Sequence, residues 1–217
     1  MSNRTVIVSG GSLNEKLSLS ILQGEECGYI IGVDRGLAFL YQHHIDPDYI
    51  VGDFDSLAPE ILEYYKTRKE IPIREFNPVK DASDTEIAIR LAIESGKKNL
   101  TILGATGTRI DHIWANVQSL KVARDAGAEA EILDEHNRIR LIHGRTVLKK
   151  EKAFGPYFSI FPLGGEIDGL SIRGAKYPLY HHRLTPYDSL CVSNQIQGEE
   201  AVIDFQGGLV VLMETRD

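Results

Sequence analysis

The stretch DYIVGDFDS, residues 48–56, places two aspartates, Asp53 and Asp55, directly after a short apolar run. Runs of this kind, rich in β-branched residues and ending in glycine or aspartate, are typical of buried parallel strands. Longer amphipathic stretches separate them, and strands that alternate with helices predict an α/β layer fold with a mostly parallel sheet. The other strand-like runs in this part of the chain are TVIVSG (5–10), GYIIGVD (28–34) and NLTILG (99–104).

Two of the amphipathic stretches carry clear helix signals. Segment 84–95 repeats apolar residues at three- and four-residue spacing and begins at SDTE, a capping box in which Ser83 is the N-cap and Glu86 the third helical residue. A second helix is predicted over 109–126, with Trp114 in the core. Its apolar face consists of Ile110, Ile113, Trp114 and Val117.

Beyond residue 138 the helical period ends, and short strand-like runs follow one another. Glycine, proline, aspartate or asparagine separates them at the spacing expected of a β-sandwich or barrel. We therefore expect two domains, a Rossmann-like α/β domain over 1–138 and an all-β sandwich domain over 139–217. The runs are RIRLIHG, TVLKK, YFSIFPL, GLSIRG, SLCVSN, AVIDF and GLVVLME.

Composition narrows the classes of partner and compartment. The 217-residue chain is 42% hydrophobic, which supports a folded core, and its formal net charge is −7. Nucleic acids are held mainly by clustered cations, and the net charge of this chain is negative. Small molecules, rather than nucleic acids, are therefore the expected partners. The two cysteines, Cys27 and Cys191, are too few for a disulfide framework, and no long apolar segment predicts export or membrane insertion. We expect a cytoplasmic protein.

Acidic residues gather where the predicted strands and helix starts meet. Ligands of open α/β sheets bind at the carboxyl ends of the strands, so these carboxylates are expected to crowd one edge. Their mutual repulsion is costly unless a cation lies among them, and hard oxygen ligands favour Mg²⁺. The six residues are Asp34, Asp53, Asp55, Asp81, Asp84 and Asp111.

The DFD segment, 53–55, favours a shared ion. Residues i and i+2 of an extended segment point to the same side, while Phe54 is expected to turn away into apolar packing. Magnesium usually takes one or two protein carboxylates together with substrate phosphates, so the pair Asp53 and Asp55 suggests a nucleotide-phosphate site. The alternative is a solvated turn that caps the next helix.

Two glycine-containing loops could approach a phosphate. GATGTRIDH (104–112) combines glycines with a helix N-terminus, and Arg109 could clamp phosphate oxygens in a bidentate manner. In the alternative interpretation, Thr108 and Asp111 only form a capping box. The earlier SGGS (9–12) also resembles a phosphate loop, but short Gly-Ser turns after a first strand are common.

Six motifs occur in order along nearly the whole chain: GVDRG (32–36), PDYIVGDFDS (47–56), KDASDTE (80–86), GATGTRIDH (104–112), GLSIRGAKYPL (169–179) and SNQIQG (193–198). Together they resemble the motif set of thiamine pyrophosphokinases. The resemblance implies an α/β catalytic domain, a thiamine-binding β-sandwich domain, and a homodimer whose active sites lie between the catalytic domain of one subunit and the β domain of the other. It also implies a reaction that converts ATP and thiamine to AMP and thiamine diphosphate.

The motifs carry expected roles for individual residues. Asp53, Asp55 and Asp84 match the magnesium-binding aspartates of the family, and Ser193 and Asn194 match residues near thiamine. The residues expected to take part in catalysis are Asp53, Asp55, Asp81, Asp84, Arg109 and Asp111. Those expected to bind the nucleotide are Asp34, Arg35, Lys80, Thr85, Thr106, Gly107 and Arg109.

The residues fit in-line attack of the thiamine hydroxyl on the β-phosphorus of ATP, in which positioning and charge neutralisation supply most of the rate. A carboxylate such as Asp81 or Asp111 is expected to accept the hydroxyl proton. Two other classes stay open. A DFD segment after a strand also occurs in glycosyltransferases that hold a nucleotide-sugar through a metal, and a non-catalytic nucleotide or thiamine sensor would bind ligands without turnover.

Overall fold

The computed structural model describes residues 4–76 and 82–217, and the chain forms two compact units, Met1–Glu135 and His136–Asp217. The strands of the first unit are β1 (Arg4–Val8), β2 (Cys27–Val33), β3 (Tyr49–Gly52), β4 (Ile73–Glu75), β5 (Asn99–Leu103) and β6 (Glu129–Leu133). They are parallel and lie in the order β4-β3-β2-β1-β5-β6. The four strands predicted for this part of the chain are confirmed, whereas β4 and β6 were not predicted.

The strand order creates a switch point beside β1. The strands β2, β3 and β4 extend the sheet on one side of β1, while β5 and β6 extend it on the other. Val6 accordingly lies opposite Ile30 of β2 and Thr101 of β5. In open α/β sheets, ligands bind outside the carboxyl ends of the strands at such a point, which here means the loops that follow β1 and β5.

Helices follow most of these strands. They are α1 (Glu15–Leu22), α2 (Gly36–Gln42), α3 (Pro59–Lys66), α4 (Asp84–Glu94) and α5 (Ile110–Asp125). At the start of α4, the Ser83 hydroxyl oxygen accepts a hydrogen bond from the backbone N–H of Glu86 at 3.3 Å, which confirms the predicted N-cap. The Glu86 carboxylate itself accepts a hydrogen bond from Arg90 at 2.7 Å.

The predicted core face of α5 is wrong over its first turns. Ile110 is 79% exposed and Trp114 48% exposed, whereas Val117 is buried. The buried positions of this helix begin only at Asn116 and continue through Leu120 to Ala123. The apolar periodicity is real, but the first turn of α5 lies outside the core, so Trp114 is not a core residue.

The second unit is antiparallel. Its strands are β7 (Asn137–Ile142), β8 (Thr146–Lys149), β9 (Tyr157–Leu163), β10 (Ile167–Arg173), β11 (Leu179–Leu184), β12 (Glu200–Gln206) and β13 (Leu209–Thr215), and Lys150–Lys152 form a 3₁₀ turn. In one sheet β7, β13 and β9 are neighbours in that order, and a second sheet has the order β11-β10-β12-β8. Side chains from both sheets, such as Ile160, Leu212, Leu170 and Ile203, share one apolar cluster.

Two sequence expectations for this unit need correction. SLCVSN does not form a strand: Cys191 is buried, but Val192 is 41% exposed, and Ser193 has a φ of 57° that no strand accommodates. The strand β11 was not predicted because its sequence, LYHHRL, is largely polar.

The expected boundary at 138/139 falls within β7, three residues beyond the division between the units.

In the part of the chain that the structure covers, no helix combines the length and the apolar character needed to cross a membrane.

Candidate functional site

A cavity of about 480 Å³ lies in the first unit, where the loops after β1, β2, β3 and β5 meet the start of α4. Most of the predicted nucleotide and metal residues therefore lie around one space, although they come from four separate segments of the chain. The predicted residues that line it are Asp34, Arg35, Asp53, Asp55, Asp84, Thr85, Thr106, Gly107 and Arg109. Lys80 and Asp81 lie outside the described residues.

The SGGS and GATG loops are joined by their backbones. The N–H of Gly11 donates to the carbonyl of Gly104, and the N–H of Ser12 to that of Thr106, both at 2.7 Å. A Cβ atom at Gly11 would lie 2.2 Å from the Thr106 oxygen, so only glycine permits this approach. The SGGS loop, for which the sequence signal was ambiguous, thus forms part of the cavity wall.

A buried pair of hydroxyl groups links the end of β1 to the start of α4. Ser9 Oγ and Thr85 Oγ1 are 3.0 Å apart, and both residues are less than a tenth exposed. The Thr85 hydroxyl, predicted to contact phosphate, is thus also a structural tie. Ser9 was not among the predicted site residues, because its partner is 76 residues away in the sequence.

Asp34 organises the acidic turn that follows β3. Its Oδ1 accepts hydrogen bonds from the backbone N–H groups of Asp53 (3.1 Å) and Phe54 (3.3 Å). A Cβ atom at Gly52 would lie 1.9 Å from this oxygen, so the glycine before the DFD segment leaves room for the carboxylate. Asp34 therefore shapes the backbone that carries Asp53.

The DFD segment itself is a turn, and the extended geometry predicted for it is wrong. β3 ends at Gly52, Phe54 has a φ of 58°, and its carbonyl accepts a hydrogen bond from the N–H of Leu57 at 3.2 Å. Phe54 is buried in the apolar cluster, as expected. Asp53 and Asp55 both reach the cavity despite the turn, because Asp34 and the buried Phe54 ring constrain the backbone between them.

Asp34 is harder to ionise than an ordinary aspartate, because it is partly buried and close to other carboxylates. Burial, followed by the charge of Asp84 and a hydrogen bond with its carboxyl group, raises the pKa of Asp34 to about 7, although the Phe54 N–H partly opposes the shift. Asp53 contributes further repulsion. A bound cation would relieve this repulsion.

The donor set of the cavity suits Mg²⁺. Within residues 4–76 and 82–217, no three His, Cys, Asp or Glu side chains already form a metal-binding group. Magnesium, however, commonly takes one or two carboxylates and completes its coordination shell with water and substrate phosphates. The crowding that raises the pKa of Asp34 is the observation that fits a cation among Asp53, Asp55 and Asp84.

Arg109 and Asp111 form an exposed ion pair at the start of α5. The guanidinium donates to both carboxylate oxygens of Asp111, at 3.2 and 2.6 Å, and the arginine lines the cavity. This hydrogen bonding lowers the pKa of Asp111 to about 2. The alternative capping box of Thr108 and Asp111 is not formed. The N-cap residue of α5 is Arg109, and no side chain forms a capping hydrogen bond there.

Asn116 is a site residue that the sequence analysis missed. It lies on the buried side of α5, lines the cavity, and its Nδ2 donates to the carbonyl of Ala105 at 2.8 Å. This hydrogen bond holds the GATG loop against α5. The available signal was an asparagine one residue from Val117 on a predicted apolar face.

The two residues expected near thiamine lie in the second unit and differ in exposure. Ser193 is exposed, and its backbone N–H donates to the Ser159 hydroxyl oxygen at 3.0 Å. Asn194 is only 3% exposed and forms several hydrogen bonds within the chain. Ser193 therefore lies at the surface of the second unit, whereas the Asn194 side chain is enclosed.

Two family models match the chain, one in each unit. The model described as thiamin pyrophosphokinase, catalytic domain, matches residues 23–132, and that described as thiamin pyrophosphokinase, vitamin B1 binding domain, matches residues 145–210. The thiamine pyrophosphokinase of Bacillus subtilis (strain 168) is 29% identical over 213 residues, covering 97% of this chain and 98% of that protein. Thiamine pyrophosphokinase 2 of Oryza sativa subsp. japonica is 25% identical, covering 86% and 76%.

Solved structures agree with the sequence comparison. The crystal structure of thiamine pyrophosphokinase from Bacillus subtilis has a TM-score of 0.86 at 26% identity, covering 99% of both chains. That of thiamin pyrophosphokinase from Geobacillus thermodenitrificans has a TM-score of 0.84 at 28% identity, covering 99% of this chain and 98% of that one.

Proposed function

This chain belongs to the thiamin pyrophosphokinase family, and we propose that the cavity of its first unit binds ATP while its second unit, a β-sandwich, binds thiamine. The activity is that of a thiamine pyrophosphokinase, a diphosphotransferase that passes the diphosphoryl group of ATP to the hydroxyl of thiamine. The products are thiamine diphosphate and AMP. The observation that carries the ATP assignment is the cavity at the switch point of a Rossmann-like sheet, lined by carboxylates and by two glycine-containing loops.

The nucleotide phosphates are proposed to lie against the loop after β5. Thr106, Gly107 and Arg109 all line the cavity, and a helix N-terminus and an arginine both favour phosphate oxygens. Asp34 and Arg35 also line the cavity, at the junction of β2 and α2. Asn116 and the Ser9–Thr85 pair maintain this wall by holding the two loops and the start of α4.

Asp53, Asp55 and Asp84 would hold Mg²⁺. When bound, the ion would neutralise charge on the β- and γ-phosphate oxygens during transfer. Asp34 contributes by fixing the turn that carries the first two carboxylates. Removing Asp34 would therefore disturb the metal site without removing a ligand.

Transfer requires the thiamine hydroxyl to approach the β-phosphorus in line with the leaving AMP. Positioning of the two substrates lowers the barrier because it replaces a chance encounter with a held geometry. Asp111 is a weak proton acceptor, since its hydrogen bonds with Arg109 lower its pKa to about 2. Its proposed role is to orient Arg109 until phosphate competes for the guanidinium.

A homodimer and a cytoplasmic location are further parts of the proposal. They rest on the resemblance and on the composition of the chain, and each needs its own measurement. The dimer has a physical motive, because a small β domain is marginal in isolation and gains from burying surface against a partner.

The test of the reaction is to incubate the purified protein with Mg²⁺, ATP and thiamine and to measure all products. We expect equal amounts of AMP and thiamine diphosphate, because one attack on the β-phosphorus releases both. ADP with thiamine monophosphate would instead show attack on the γ-phosphorus. Binding of both ligands without product would indicate a sensor, and turnover of a nucleotide-sugar without thiamine binding would indicate a glycosyltransferase.

A further inference from the structure

Asn194 is buried in the second unit, and its side-chain amide is almost fully hydrogen-bonded. Its Oδ1 accepts from the backbone N–H groups of Tyr177 (3.0 Å) and Gln195 (2.9 Å), while its Nδ2 donates to the carbonyl of Tyr177 at 2.8 Å. An asparagine side chain offers two acceptor positions and two N–H donors, so three of the four are occupied within the chain. At most one N–H is left for a ligand.

These bonds grip both backbone groups of one residue, Tyr177, that is 17 positions away in the sequence. Backbone hydrogen bonds of the neighbouring residues add to these contacts. The N–H of Lys176 donates to the carbonyl of Gln195 at 2.9 Å, and the N–H of Gln197 donates to that of Gly174 at 3.0 Å. Residues 174–178, which we call the 174–178 loop, are therefore fastened to the segment that begins at Asn194.

Asn194 is in turn fixed to the sheet. Its own N–H and carbonyl form a pair of hydrogen bonds with Phe158 of β9, at 2.9 and 2.8 Å. Phe158 is 2% exposed and belongs to the apolar cluster. The side chain of Asn194 thus transmits the position of a rigid strand to an otherwise irregular loop.

Asn194 and Tyr177 differ in their exposure to solvent. Asn194 is 3% exposed, whereas the Tyr177 side chain is 54% exposed. Tyr177 is therefore open to a ligand, whereas at most one N–H of the Asn194 amide is. A direct contact between the Asn194 side chain and thiamine would need either its remaining N–H or the loss of an existing hydrogen bond, which is unfavourable for a buried polar group.

We propose that Asn194 is a positioning residue for thiamine, which acts by holding the backbone of Tyr177 and with it the 174–178 loop. The proposal rests on the proposed function, in which the second unit binds thiamine. It changes the role expected for Asn194 from a substrate contact to a support of one. Ser193, which is exposed and adjacent, is the member of the pair that can still reach a ligand directly.

The test combines steady-state kinetics with amide hydrogen exchange on the ligand-free protein. In Asn194→Ala, the amides of Tyr177 and Gln195 lose their acceptor, so peptides covering 174–178 should exchange faster while the strands of the second unit keep their protection. The KM for thiamine should rise about tenfold or more, with a smaller change in the KM for ATP and in kcat. Gln195→Ala is the matched control, because it keeps the backbone groups of the same segment and should change neither readout.

A double-mutant cycle tests whether Asn194 acts through the loop. If it does, Asn194→Ala should add little to the thiamine KM of Tyr177→Ala, because the two changes remove one shared arrangement. Additive effects, combined with unchanged exchange of the loop, would overturn the proposal in favour of a direct contact. Faster exchange with an unchanged thiamine KM would also overturn it, because the loop would then be irrelevant to binding.

A conservative variant covers the case in which Asn194→Ala does not fold. Asn194→Asp keeps the acceptor for the Tyr177 and Gln195 N–H groups but turns an oxygen toward the Tyr177 carbonyl, so the 174–178 loop should exchange faster than in wild type by a smaller factor than in Asn194→Ala, and the KM for thiamine should still rise. Unchanged loop exchange in this folded variant would contradict the positioning role. The wild-type product assay separates this result from a failure of the proposed function, since a wild-type protein that forms no thiamine diphosphate would refute the function itself.

Discussion

At the scale of single residues, the acidic turn depends on Asp34 and Gly52. The carboxylate of Asp34 replaces the hydrogen-bond acceptors that a strand would offer to the N–H groups of Asp53 and Phe54. Gly52 leaves the space in which this carboxylate lies. A carboxylate whose pKa is raised to about 7 by burial and by Asp84 is held there at an energetic cost, which is typical of a functional site.

Gly52→Ala should therefore damage both stability and catalysis. The added Cβ would lie 1.9 Å from Asp34 Oδ1, so either the turn or the carboxylate must move. We expect the free energy of unfolding to fall by about 1–3 kcal/mol and kcat/KM to fall with it. Gly165→Ala is the control, because nothing lies within 4 Å of a Cβ at that position. A Gly52→Ala protein as stable and as active as wild type would contradict the proposed geometry.

Asp53→Asn and Asp55→Asn should separate function from stability. Each change removes a proposed metal ligand and should lower kcat by about 100-fold or more, with weaker dependence on Mg²⁺. Each also relieves like-charge repulsion, so the melting temperature without Mg²⁺ should stay the same or rise. Glu60→Gln, an exposed carboxylate on α3, controls for the lost charge. A large loss of stability with normal turnover would instead support a purely structural capping turn.

At the scale of elements, α5 combines an exposed apolar start with a polar anchor on its buried side. Ile110 and Trp114 are exposed to solvent, whereas Asn116 is buried and donates a hydrogen bond to the carbonyl of Ala105. Hydrophobic periodicity identified the helix but not its rotation, because the packing of α5 against α4 decides which side is covered. The position of the GATG loop therefore depends on Asn116, a polar side chain that hydrophobicity alone would assign to the exposed side of the helix.

Asn116→Ala should loosen the GATG loop. The Ala105 carbonyl would lose its partner in a buried setting, which costs about 1–3 kcal/mol of unfolding free energy. The KM for ATP should increase more than the KM for thiamine, because the loop belongs to the proposed phosphate site. Gln118→Ala, at an exposed position of the same helix, should leave both quantities close to wild type. Equal changes in the two KM values would argue against a role specific to ATP.

At the scale of the whole molecule, each unit matches a different part of one enzyme family. The resemblance of the six motifs to thiamine pyrophosphokinases is thereby confirmed. The homodimer implied by that resemblance stays a prediction, as does the expectation that two subunits contribute to each active site.

Subunit mixing tests this expectation directly. Asp53→Asn and Asn194→Ala subunits should be refolded or co-expressed together and assayed at a thiamine concentration where each parent is inactive. If two subunits share each site, the mixed dimers contain one intact site and should recover part of the wild-type activity. Mixed dimers as inactive as their parents would refute the shared site, and a monomer in light scattering would refute the dimer itself.

Local sequence patterns were enough for the main elements and for the family. β1, β2, β3, β5 and α4 depend on apolar period, β-branching and caps, which are properties of neighbours along the chain. The same reasoning failed for SLCVSN and for β11, because pairing with another strand decides whether a short segment is extended. The polar sequence of β11 carries no apolar alternation, yet β10 provides it with partners.

The residues of the candidate site follow the same division. The sequence by itself determined which acidic residues lie after the strands, and that most of the predicted nucleotide residues would meet at one edge of the sheet. Only the tertiary structure decided that Asp34 shapes the DFD turn, that Ser9 bonds Thr85, and that Asn194 holds Tyr177. The physical reason is distance along the chain: these contacts join segments 17 to 76 residues apart, and a hydrogen bond between such segments exists only after the sheets have brought them together.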